Sequence, residues 1–413
     1  MRAVAREELR QRADYTHKFN VKTGRHGWLR LTPAYSVKIV EEIMDRNKEP
    51  LRVLDPFCGT ATTALSAAYH GHEGVTTDIN PFLVWLGQAK TAQYSGAEIA
   101  ATQQACVRVV ESMEREAVEP VKAPPIHNIE RWWSPEVLEF LCALRASIEA
   151  ESEDASPERA LLLVAFCRTL IGLSNAAFNH QSMSFKNDGQ LHLPFDINMS
   201  HGFSREVQFV LEGAKENPEG TGHVVFGDSR NLAGVVEGPF DLVITSPPYA
   251  NRMSYIRELR PYMYWLGFLD SGRDAGELDW MAIGGTWGVA TSRLLDRERP
   301  AKPFEHQLLD EALDRIAHRD NKSGEILAHY VAKYFDDIWE HFNSLISVLS
   351  KGSQVHYIVG NSAFYNVLLS VEKLYASMLE RLGFEGVECR AIRKRNSKKE
   401  LFEFDVSARW MRG

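Results

Sequence analysis

The segment with the clearest chemical potential is Ser246-Pro247-Pro248-Tyr249, which follows the apolar run "FDLVIT". Neither proline can donate a hydrogen bond to a sheet, so the prolines end the strand that this run predicts. They also fix the backbone, so that the flanking hydroxyl, carbonyl and ring point in defined directions. Two interpretations are open: a simple strand end, or a rigid turn that directs polar groups at a substrate.

A second candidate site is the turn in "VLDPFCGTATT", which joins an apolar strand to a helix. Gly59 would let the backbone pass close to a ligand, and free amides at a helix start suit a carboxylate or a phosphate. Asp78 ends the next strand, where an acidic side chain accepts hydrogen bonds from ribose hydroxyls in dinucleotide-binding sheets. It would also cap the following helix, and both roles are compatible. The sequence has no GxxxxGK[ST] pattern, which disfavours a nucleoside triphosphate.

These residues must be positioned by strands and helices that alternate along the chain. Residues 51–95 show the order strand, helix, strand, helix, which is typical of a parallel α/β sheet. Further strands are predicted in "HVVFGDSRNL", "FDLVITSPPY" and "GSQVHYIVGNS". A helix is expected in "YNVLLSVEKLYASMLERLG", followed by an antiparallel hairpin of "VECRAIRK" and "ELFEFDVSARW".

Two insertions interrupt this alternation. Residues 96–220 show helical periodicity, and Ser134-Pro135 and Ser156-Pro157 match a helix cap followed by proline at the first helical position. Residues 269–325 are rich in charge and glycine, which predicts an irregular segment ahead of a long helix.

Composition restricts the class of protein. The chain has 413 residues, of which 44% are hydrophobic and 25% charged, enough for a large core and two or three domains. It lacks an apolar run near the roughly 18 residues of a membrane span and an apolar signal segment, so we expect a cytoplasmic protein without membrane contact. Five separated cysteines without CxxC spacing indicate reduced thiols and no metal site. The net charge of -8 argues against a uniformly basic nucleic-acid-coating protein, but permits positive charge concentrated in one cleft.

The ordered motifs DPFCGT, TDINP, GDSRNL and SPPY resemble the S-adenosylmethionine-dependent DNA methyltransferases that modify exocyclic amino groups. The Ser-Pro-Pro-Tyr form is most typical of the cytosine-N4 members, whereas adenine-N6 enzymes more often carry Asp or Asn in place of the serine. The resemblance covers about residues 15–95 and 221–413. It implies a Rossmann-like class I methyltransferase fold, a doubly wound seven-stranded sheet with an antiparallel last strand, here with an inserted mainly helical subdomain.

The resemblance also divides the chain into regions with expected roles. These are 1–50 as an N-terminal element of the cofactor pocket, 51–95 as the cofactor-binding half, 96–220 as the helical insertion, 221–268 as the catalytic motif region, 269–325 as a second insert, and 326–413 as the rest of the sheet with a basic hairpin. The cofactor half precedes the catalytic motif, a circular permutation of the better-known cytosine-N4 enzymes. Since we expect no large reader after the final hairpin, target recognition should fall to one or both insertions.

By this resemblance, S-adenosylmethionine would be bound by Thr32, Pro33, Asp55, Phe57, Cys58, Gly59, Thr62, Asp78, Asp228 and Ser229. Asp78 would hold the ribose, and Asp228 with Ser229 would lie near the adenine ring. Ala61 stands where the family usually has its second loop glycine. Its methyl group should be tolerated if the backbone there is near-helical, and the alternative is a tighter pocket or weaker cofactor binding. Cys58 is expected to be a packing residue and not a nucleophile.

The resemblance gives the Ser-Pro-Pro-Tyr turn a catalytic role. The amino nitrogen of cytosine is a poor nucleophile because its lone pair is delocalised into the ring, so an enzyme must accept hydrogen bonds from its N–H groups. Ser246 Oγ and the Pro247 carbonyl are the expected acceptors. Pro248 helps to fix this geometry, and Tyr249 is expected to stack on the flipped base. Direct in-line transfer of the methyl group would follow.

Basic side chains after this turn and in the final hairpin predict DNA contacts. They are Arg252, Arg257, Arg393, Lys394, Arg395 and Lys398. A solvated helix face or turn would show the same composition. The polar stretch of residues 175–193 offers Asn and Gln side chains that can pair with base edges, although a plain polar loop is an equally simple account.

The predicted activity is site-specific methylation of cytosine N4 in double-stranded DNA, either beside a cognate restriction endonuclease or as a stand-alone modification enzyme; nothing in the sequence requires the endonuclease. Three alternatives stay open at this point. They are adenine-N6 methylation, methylation of RNA, and a catalytically silent DNA-binding subunit that keeps the fold.

Overall fold

The apolar strand segments predicted from the sequence assemble into one seven-stranded sheet. The computed structural model describes residues 9–29, 34–47, 49–177, 184–185, 198–251, 254–285, 293–319, 321–395 and 400–412. The strands are β1 (Arg52–Asp55), β2 (Glu73–Asp78), β3 (Thr221–Phe226), β4 (Phe240–Thr245), β5 (Leu349–Gly360), β6 (Glu385–Lys394) and β7 (Phe402–Arg409). Their order is β6-β7-β5-β4-β1-β2-β3, with β7 antiparallel to both neighbours and the other pairs parallel. The predicted Rossmann-like class I methyltransferase fold is confirmed.

The direction in which strands are added to the sheet reverses between β1 and β4. The chain first builds outward through β2 and β3 and then returns to place β4 beside β1. In open α/β sheets, ligands bind at the carboxyl ends of the strands at such a reversal. Asp55 is the last residue of β1 and Ser246 follows β4, so the fold brings two predicted site residues to this point.

Helices cover both faces of the sheet. The described α-helices are α1 (His17–Asn20), α2 (Val37–Met44), α3 (Thr62–Tyr69), α4 (Pro81–Thr91), α5 (Gly96–Glu114), α6 (Pro135–Glu151), α7 (Pro157–Gly172), α8 (Met199–Ala214), α9 (Tyr255–Trp265), α10 (Gly272–Met281), α11 (Gln307–Ala317), α12 (Asn321–Leu345) and α13 (Val371–Leu382). Short 3-10 helices span Ala13–Tyr15, Gly24–Gly27, Ile129–Arg131, Ser229–Gly234 and Ile346–Val348. Within the ranges given above, none of these helices is long and apolar enough to cross a membrane.

The central strands send alternate side chains into two separate hydrophobic clusters. Val53 of β1 packs with Val40 of α2 and with Ala67 of α3. Leu54, the next residue, packs with Phe335 of α12 and Leu374 of α13. Because successive side chains of a strand point to opposite faces, a continuous apolar run is what a strand buried on both sides requires.

The insertion between β2 and β3 is helical, as predicted. Ser134 and Ser156 accept hydrogen bonds from backbone amides at the starts of α6 and α7, each just before the proline. The hydrophobic core of the insertion continues into α9, where the ring of Trp265 meets the ring of Trp133 edge-on at 5.8 Å. The insertion is therefore packed against the helical layer next to the catalytic motif.

Two secondary-structure predictions are wrong. The described part of residues 269–325 is not irregular, because it contains α10 and α11, whose first turns are capped by Ser271 and His306. The helix predicted to begin at "YNVLL" begins at Val371 instead. Tyr365 and Asn366 adopt left-handed backbone with φ of 47° and 63°, and they turn the chain between the short strands Ser362–Phe364 and Val367–Leu369. A short apolar run such as "VLL" fits a strand and a helix equally well.

Candidate active site

A cleft of about 350 Å³ opens at the carboxyl edge of the sheet, beside the reversal between β1 and β4. Most of the predicted site residues line it. They are Phe57, Cys58, Gly59, Thr62, Asp78, Ser229, Ser246, Pro247, Pro248, Tyr249, Arg393 and Arg395. These residues come from the ends of parallel strands and from the β6–β7 hairpin, so the sheet collects them from segments far apart in the sequence.

Asp78 braces the turn between β1 and α3, residues 56–61, which we call the cofactor loop. Its Oδ2 accepts a hydrogen bond from the Gly59 amide at 3.1 Å, and its Oδ1 accepts one from the Asn80 amide at 2.9 Å. Burial raises the pKa of Asp78 to about 6, and the amide hydrogen bonds oppose part of that rise. An ionised carboxylate has further lone pairs, so Asp78 can also bind hydroxyl groups in the cleft.

Asp55 lies behind the cleft wall, and its side chain is fully buried. Its Oδ1 accepts hydrogen bonds from the Thr245 hydroxyl at 2.5 Å and from the Phe57 amide at 3.0 Å. Its Oδ2 has no hydrogen-bond partner among the residues that the structure describes. Burial raises the pKa of Asp55 to about 7. Asp55 is not among the residues that line the cleft, so its carboxylate acts on the cofactor loop from behind, through the Phe57 amide.

The backbone at Ala61 does not meet the condition under which its methyl group was expected to be tolerated. This backbone is left-handed, with φ of 58° and ψ of 30°, and not near-helical. This conformation costs a residue with a side chain roughly 1–2 kcal/mol, whereas glycine adopts it readily. The methyl group is completely buried, and the Ala61 amide donates to the Cys58 carbonyl at 2.8 Å. The loop therefore has room for the methyl group but holds it on backbone that favours glycine.

Cys58 packs under the loop, in agreement with its predicted packing role. It is 2% exposed and contacts Ala61, Val84 and Val224. Burial raises the pKa of the thiol well above its usual range, so the group stays protonated at neutral pH. A protonated, buried thiol is a poor nucleophile.

Tyrosine side chains hold the Ser-Pro-Pro-Tyr turn on both sides. The Tyr334 hydroxyl of α12 donates to the Pro248 carbonyl at 2.8 Å. The Tyr249 amide donates to the Tyr255 hydroxyl of α9 at 3.1 Å. These hydrogen bonds hold the backbone of the turn in addition to the two proline rings.

Ser246 lines the cleft, and the proton of its hydroxyl is already donated to a backbone carbonyl. Ser246 Oγ donates to the Ile358 carbonyl of β5 at 3.0 Å, and the residue is half-buried. A hydroxyl has one proton to donate and two lone pairs to accept with. The oxygen of Ser246 is therefore set up to accept a hydrogen bond from a ligand N–H group.

The ring and hydroxyl of Tyr249 are both engaged by the final hairpin. Its hydroxyl donates to Glu403 Oε1 at 2.7 Å, and Arg393 binds both carboxylate oxygens of Glu403, at 2.7 and 3.1 Å. The guanidinium of Arg395 lies 4.8 Å from the centre of the Tyr249 ring. A base that stacks on Tyr249 must therefore use the other ring face or displace Arg395.

The predicted DNA contacts divide into three groups. Arg393 and Arg395 point into the cleft as described. Lys394 pairs with Glu400 at 3.1 Å on the hairpin, and Arg257 is exposed on α9. Arg252 and Lys398 lie outside the described residues, as do Thr32, Pro33 and most of the polar stretch 175–193.

The structure separates the two residues predicted to lie near the adenine ring. Ser229 lines the cleft, and its carbonyl accepts a hydrogen bond from the His341 ring at 3.0 Å. Asp228 is not among the lining residues, because its carboxylate is paired with Arg230 at 2.6 Å. Arg230 in turn reaches Asp337 at 3.0 Å.

Several cleft residues were missed by the sequence analysis. They include Tyr35, Ile79, Leu83 and Glu403, with Lys90 beneath the cofactor loop. The segment "FEFDV" held a signal for Glu403, because a carboxylate alternates there with apolar residues that a buried strand requires. Lys90 gave no such signal, since a single lysine in a helix is usually exposed.

Comparisons of the sequence with characterised proteins find two methyltransferases. The chain is 20% identical over 387 residues to the type II methyltransferase M.MvaI of Kocuria varians, covering 89% of this chain and 82% of that protein. It is 20% identical over 458 residues to the type II methyltransferase M.BsoBI of Geobacillus stearothermophilus, covering 97% and 87%. No protein-family model matches the chain.

Solved structures resemble the chain only distantly. TrmN from Thermus thermophilus superposes with a TM-score of 0.31 at 10% identity, and the chain spans about half of it, 53%. The rRNA methyltransferase aviRa from Streptomyces viridochromogenes gives a TM-score of 0.31 at 11% identity, covering 95% of this chain and 96% of that one. The fold assignment therefore depends on the strand order described above.

The sheet topology and the two sequence relatives together support a methyltransferase enzyme with S-adenosylmethionine as its methyl donor. The residues of the cleft fit this cofactor. Asp78, which lines the cleft, offers a carboxylate for hydroxyl groups. Apolar side chains for a purine ring are present as well, because Phe57, Ile79 and Leu83 line the same cavity.

Proposed function

We propose that this protein transfers a methyl group from S-adenosylmethionine to the N4 amino group of a cytosine flipped out of double-stranded DNA. The observation that carries the proposal is the hydrogen bond from Ser246 Oγ to the Ile358 carbonyl, in a turn fixed by Tyr334 and Tyr255. It leaves the serine oxygen as an acceptor at the reversal point of a methyltransferase sheet. An amino group that donates hydrogen bonds is the natural partner of such an acceptor.

The chain's own residues would activate the amino group by orientation. Ser246 Oγ and the Pro247 carbonyl would each accept one N–H hydrogen bond, which draws the nitrogen away from planarity and makes its lone pair available. The cofactor supplies an electrophilic methyl group on its sulfonium. Since the turn is already fixed, little reorganisation is needed at the moment of reaction.

The cofactor would lie against the cofactor loop. Asp78 would accept hydrogen bonds from the ribose hydroxyls, and Phe57, Cys58, Gly59, Thr62 and Ser229 would contact the rest of the molecule. Asp55 would act from behind the loop, through the Phe57 amide. Thr32 and Pro33 remain proposed contacts from the N-terminal element, which also contributes Tyr15 and Tyr35 to the cleft.

The extracted cytosine would stack on Tyr249. Arg395 already covers one face of that ring, so its planar guanidinium would form part of the base pocket or move aside on base entry. Among the described residues, the exposed Arg257 and the hairpin residue Lys394 are proposed phosphate contacts. Arg252 and Lys398, which lie outside the described residues, remain proposed contacts as well. The same interpretation assigns target reading to the insertions 96–220 and 269–325, and a cognate restriction endonuclease stays a prediction.

One experiment tests the activity and the base at the same time. The protein is incubated with mixed-sequence duplex DNA and methyl-labelled S-adenosylmethionine, and the DNA is digested to nucleosides and analysed by mass spectrometry. The expected product is N4-methyldeoxycytidine. N6-methyldeoxyadenosine would overturn the cytosine assignment, and label in RNA but not in DNA would overturn the substrate. A protein that binds the cofactor but labels neither would be the silent subunit.

A further inference from the structure

Lys90 is a completely buried lysine beneath the cofactor loop. It lies near the end of α4 and is 0% exposed. Its Nζ donates to the Thr60 carbonyl at 2.8 Å and lies within 3.5 Å of the His26 carbonyl. Both partners are backbone carbonyls, and neither neutralises the charge of an ammonium group.

Burying this amine is costly. An ammonium group without a carboxylate partner is disfavoured in a low-dielectric interior, and burial lowers the pKa of Lys90 to about 7. A leucine or methionine at this position would fill the space without that cost. A role for the amine is therefore to be sought in the backbone carbonyls that it holds, those of Thr60 and His26.

The bond to Thr60 acts on the strained residue of the loop. The Thr60 carbonyl and the Ala61 amide belong to one planar peptide group, so fixing the carbonyl also fixes the direction of the amide. That amide closes the loop by donating to the Cys58 carbonyl at 2.8 Å. Lys90 thus holds the peptide that leads into the left-handed Ala61.

The second contact reaches the N-terminal element, whose Tyr15 and Tyr35 line the cleft. His26 lies in the 3-10 helix Gly24–Gly27 of the N-terminal element. The backbone beside Lys90 is also tied to this helix, because the buried Arg25 donates to the Lys90 carbonyl at 3.1 Å. Lys90 therefore links the cofactor loop with the N-terminal element through its own side chain.

We propose that Lys90 is a positioning residue that keeps the cofactor loop in its ligand-binding form with alanine, in place of glycine, at position 61. That the loop binds S-adenosylmethionine rests on the proposed function, whereas the hydrogen bond from Lys90 to the Thr60 carbonyl is a feature of the structure. A glycine would adopt the left-handed turn without support, whereas Ala61 needs its peptide group held. Lys90 and Ala61 form a functional pair.

A double-mutant cycle tests this pairing by calorimetric titration of S-adenosylmethionine in the absence of DNA. The proteins are wild type, Lys90→Met, Ala61→Gly and the double variant. Lys90→Met should weaken binding about tenfold, the effect of losing one charge-assisted hydrogen bond. In the Ala61→Gly background the same change should cost about threefold or less. Ala61→Gly alone should bind at least as tightly as wild type and should raise the unfolding midpoint.

Ala67→Gly is the matched control for the rescue. Ala67 is just as buried and lies in α3, which begins directly after Ala61, but its backbone is ordinary helix. Combined with Lys90→Met, it should restore no affinity, and alone it should lower the unfolding midpoint. Rescue by both glycines would show a general loosening and would overturn the pairing.

Other results separate this inference from the proposed function. Unchanged affinity in Lys90→Met, or an equal loss in both backgrounds, would overturn the role of Lys90. If Lys90→Met does not fold, the comparison of Ala61→Gly with wild type still decides, because weaker binding or a lower unfolding midpoint would contradict the strain at Ala61. A wild-type protein that does not bind S-adenosylmethionine would refute the proposed function and this inference with it.

Discussion

The two sides of the cleft are held in different ways. On the cofactor side, formed by the cofactor loop with Asp55 and Asp78, the key bond joins the Gly59 amide to Asp78, 19 residues further on. On the acceptor side, formed by the Ser-Pro-Pro-Tyr turn with Glu403 and the hairpin arginines, Tyr249 bonds to Glu403 across 154 residues. Backbone amides dominate the first side, and long side chains dominate the second.

Because the two sides are held by different contacts, we expect cofactor binding and methyl transfer to respond to different substitutions. The cofactor side is a turn between neighbouring parallel strands, and changes there should alter affinity for the cofactor. The acceptor side holds a single turn between α9, α12, β5 and β7, and changes there should alter the transfer step. Each prediction below removes one group from one side and asks whether the effects stay separate.

The largest effect is expected for Ser246→Ala, which removes an acceptor from the amino group. We expect turnover to fall about a hundredfold or more while the Kd of S-adenosylmethionine stays near wild type. Ser350→Ala is the matched control, because the Ser350 hydroxyl also bonds a backbone carbonyl, that of Phe240 at 2.9 Å, near the start of the same strand β5. Equal losses of turnover and cofactor affinity would refute the role of Ser246.

Asp78→Ala is expected to have a smaller effect, and mainly on cofactor affinity instead of turnover. The variant loses the carboxylate that holds the Gly59 amide and would bind the ribose, so Kd for the cofactor should rise about tenfold to a hundredfold. Turnover at saturating cofactor should fall much less. Asp228→Asn provides the comparison, because that carboxylate is paired with Arg230 and does not line the cleft. A larger effect at Asp228 than at Asp78 would reverse the assignment of the two acids.

Cofactor affinity should also depend on pH. The pKa of Asp78 is raised from its ordinary value to about 6, so its ionised fraction grows between about pH 5 and pH 7. Because the ionised carboxylate is the better acceptor for hydroxyl groups, binding should tighten between about pH 5 and pH 6. Burial lowers the pKa of Lys90 to about 7, so the loss of its charge above that pH should oppose any further tightening.

Calorimetry across this pH range checks the prediction. The pKa of Asp55 is raised to about 7, so this group titrates close to the same window. Asp78→Asn should remove the increase in cofactor affinity at the low-pH end of the range, near pH 5 to 6. Asp55→Asn should leave that increase in place. A wild-type affinity that stays flat or falls between about pH 5 and pH 6 would contradict the role of the Asp78 carboxylate.

The smallest effect is expected for Tyr249→Phe, which keeps the ring and removes only the hydrogen bond to Glu403. Glu403 retains Arg393, so the free energy of unfolding should fall by about 1 kcal/mol and turnover by a few-fold. Cofactor affinity should not change, as titration would show. Tyr334→Phe, which removes the bond to the Pro248 carbonyl, should behave similarly. If cofactor affinity falls along with turnover, the two sides are not separate.

The sequence predicted the cofactor side more completely than the acceptor side. Strand ends, Gly59 and Asp78 are close in sequence, so alternating patterns and turn residues suffice to place them. Ala61 shows the limit of this reasoning, because its residue type gives no indication of left-handed backbone. Glu403, Tyr334 and Tyr255 were not assigned contacts, because their partners are chosen by the packing of distant elements.

The sequence by itself determined the strand segments and the double proline that ends the strand before Ser246, because hydrophobic periodicity and proline act locally; the order of the strands came with the tertiary structure. Tertiary structure alone decided which acids reach the cleft. Asp78 lines it and Asp228 turns to Arg230, although both follow strands of similar pattern. It also decided that the arginines of the hairpin face Tyr249 and Glu403, because burial and charge pairing join groups that the sequence keeps far apart.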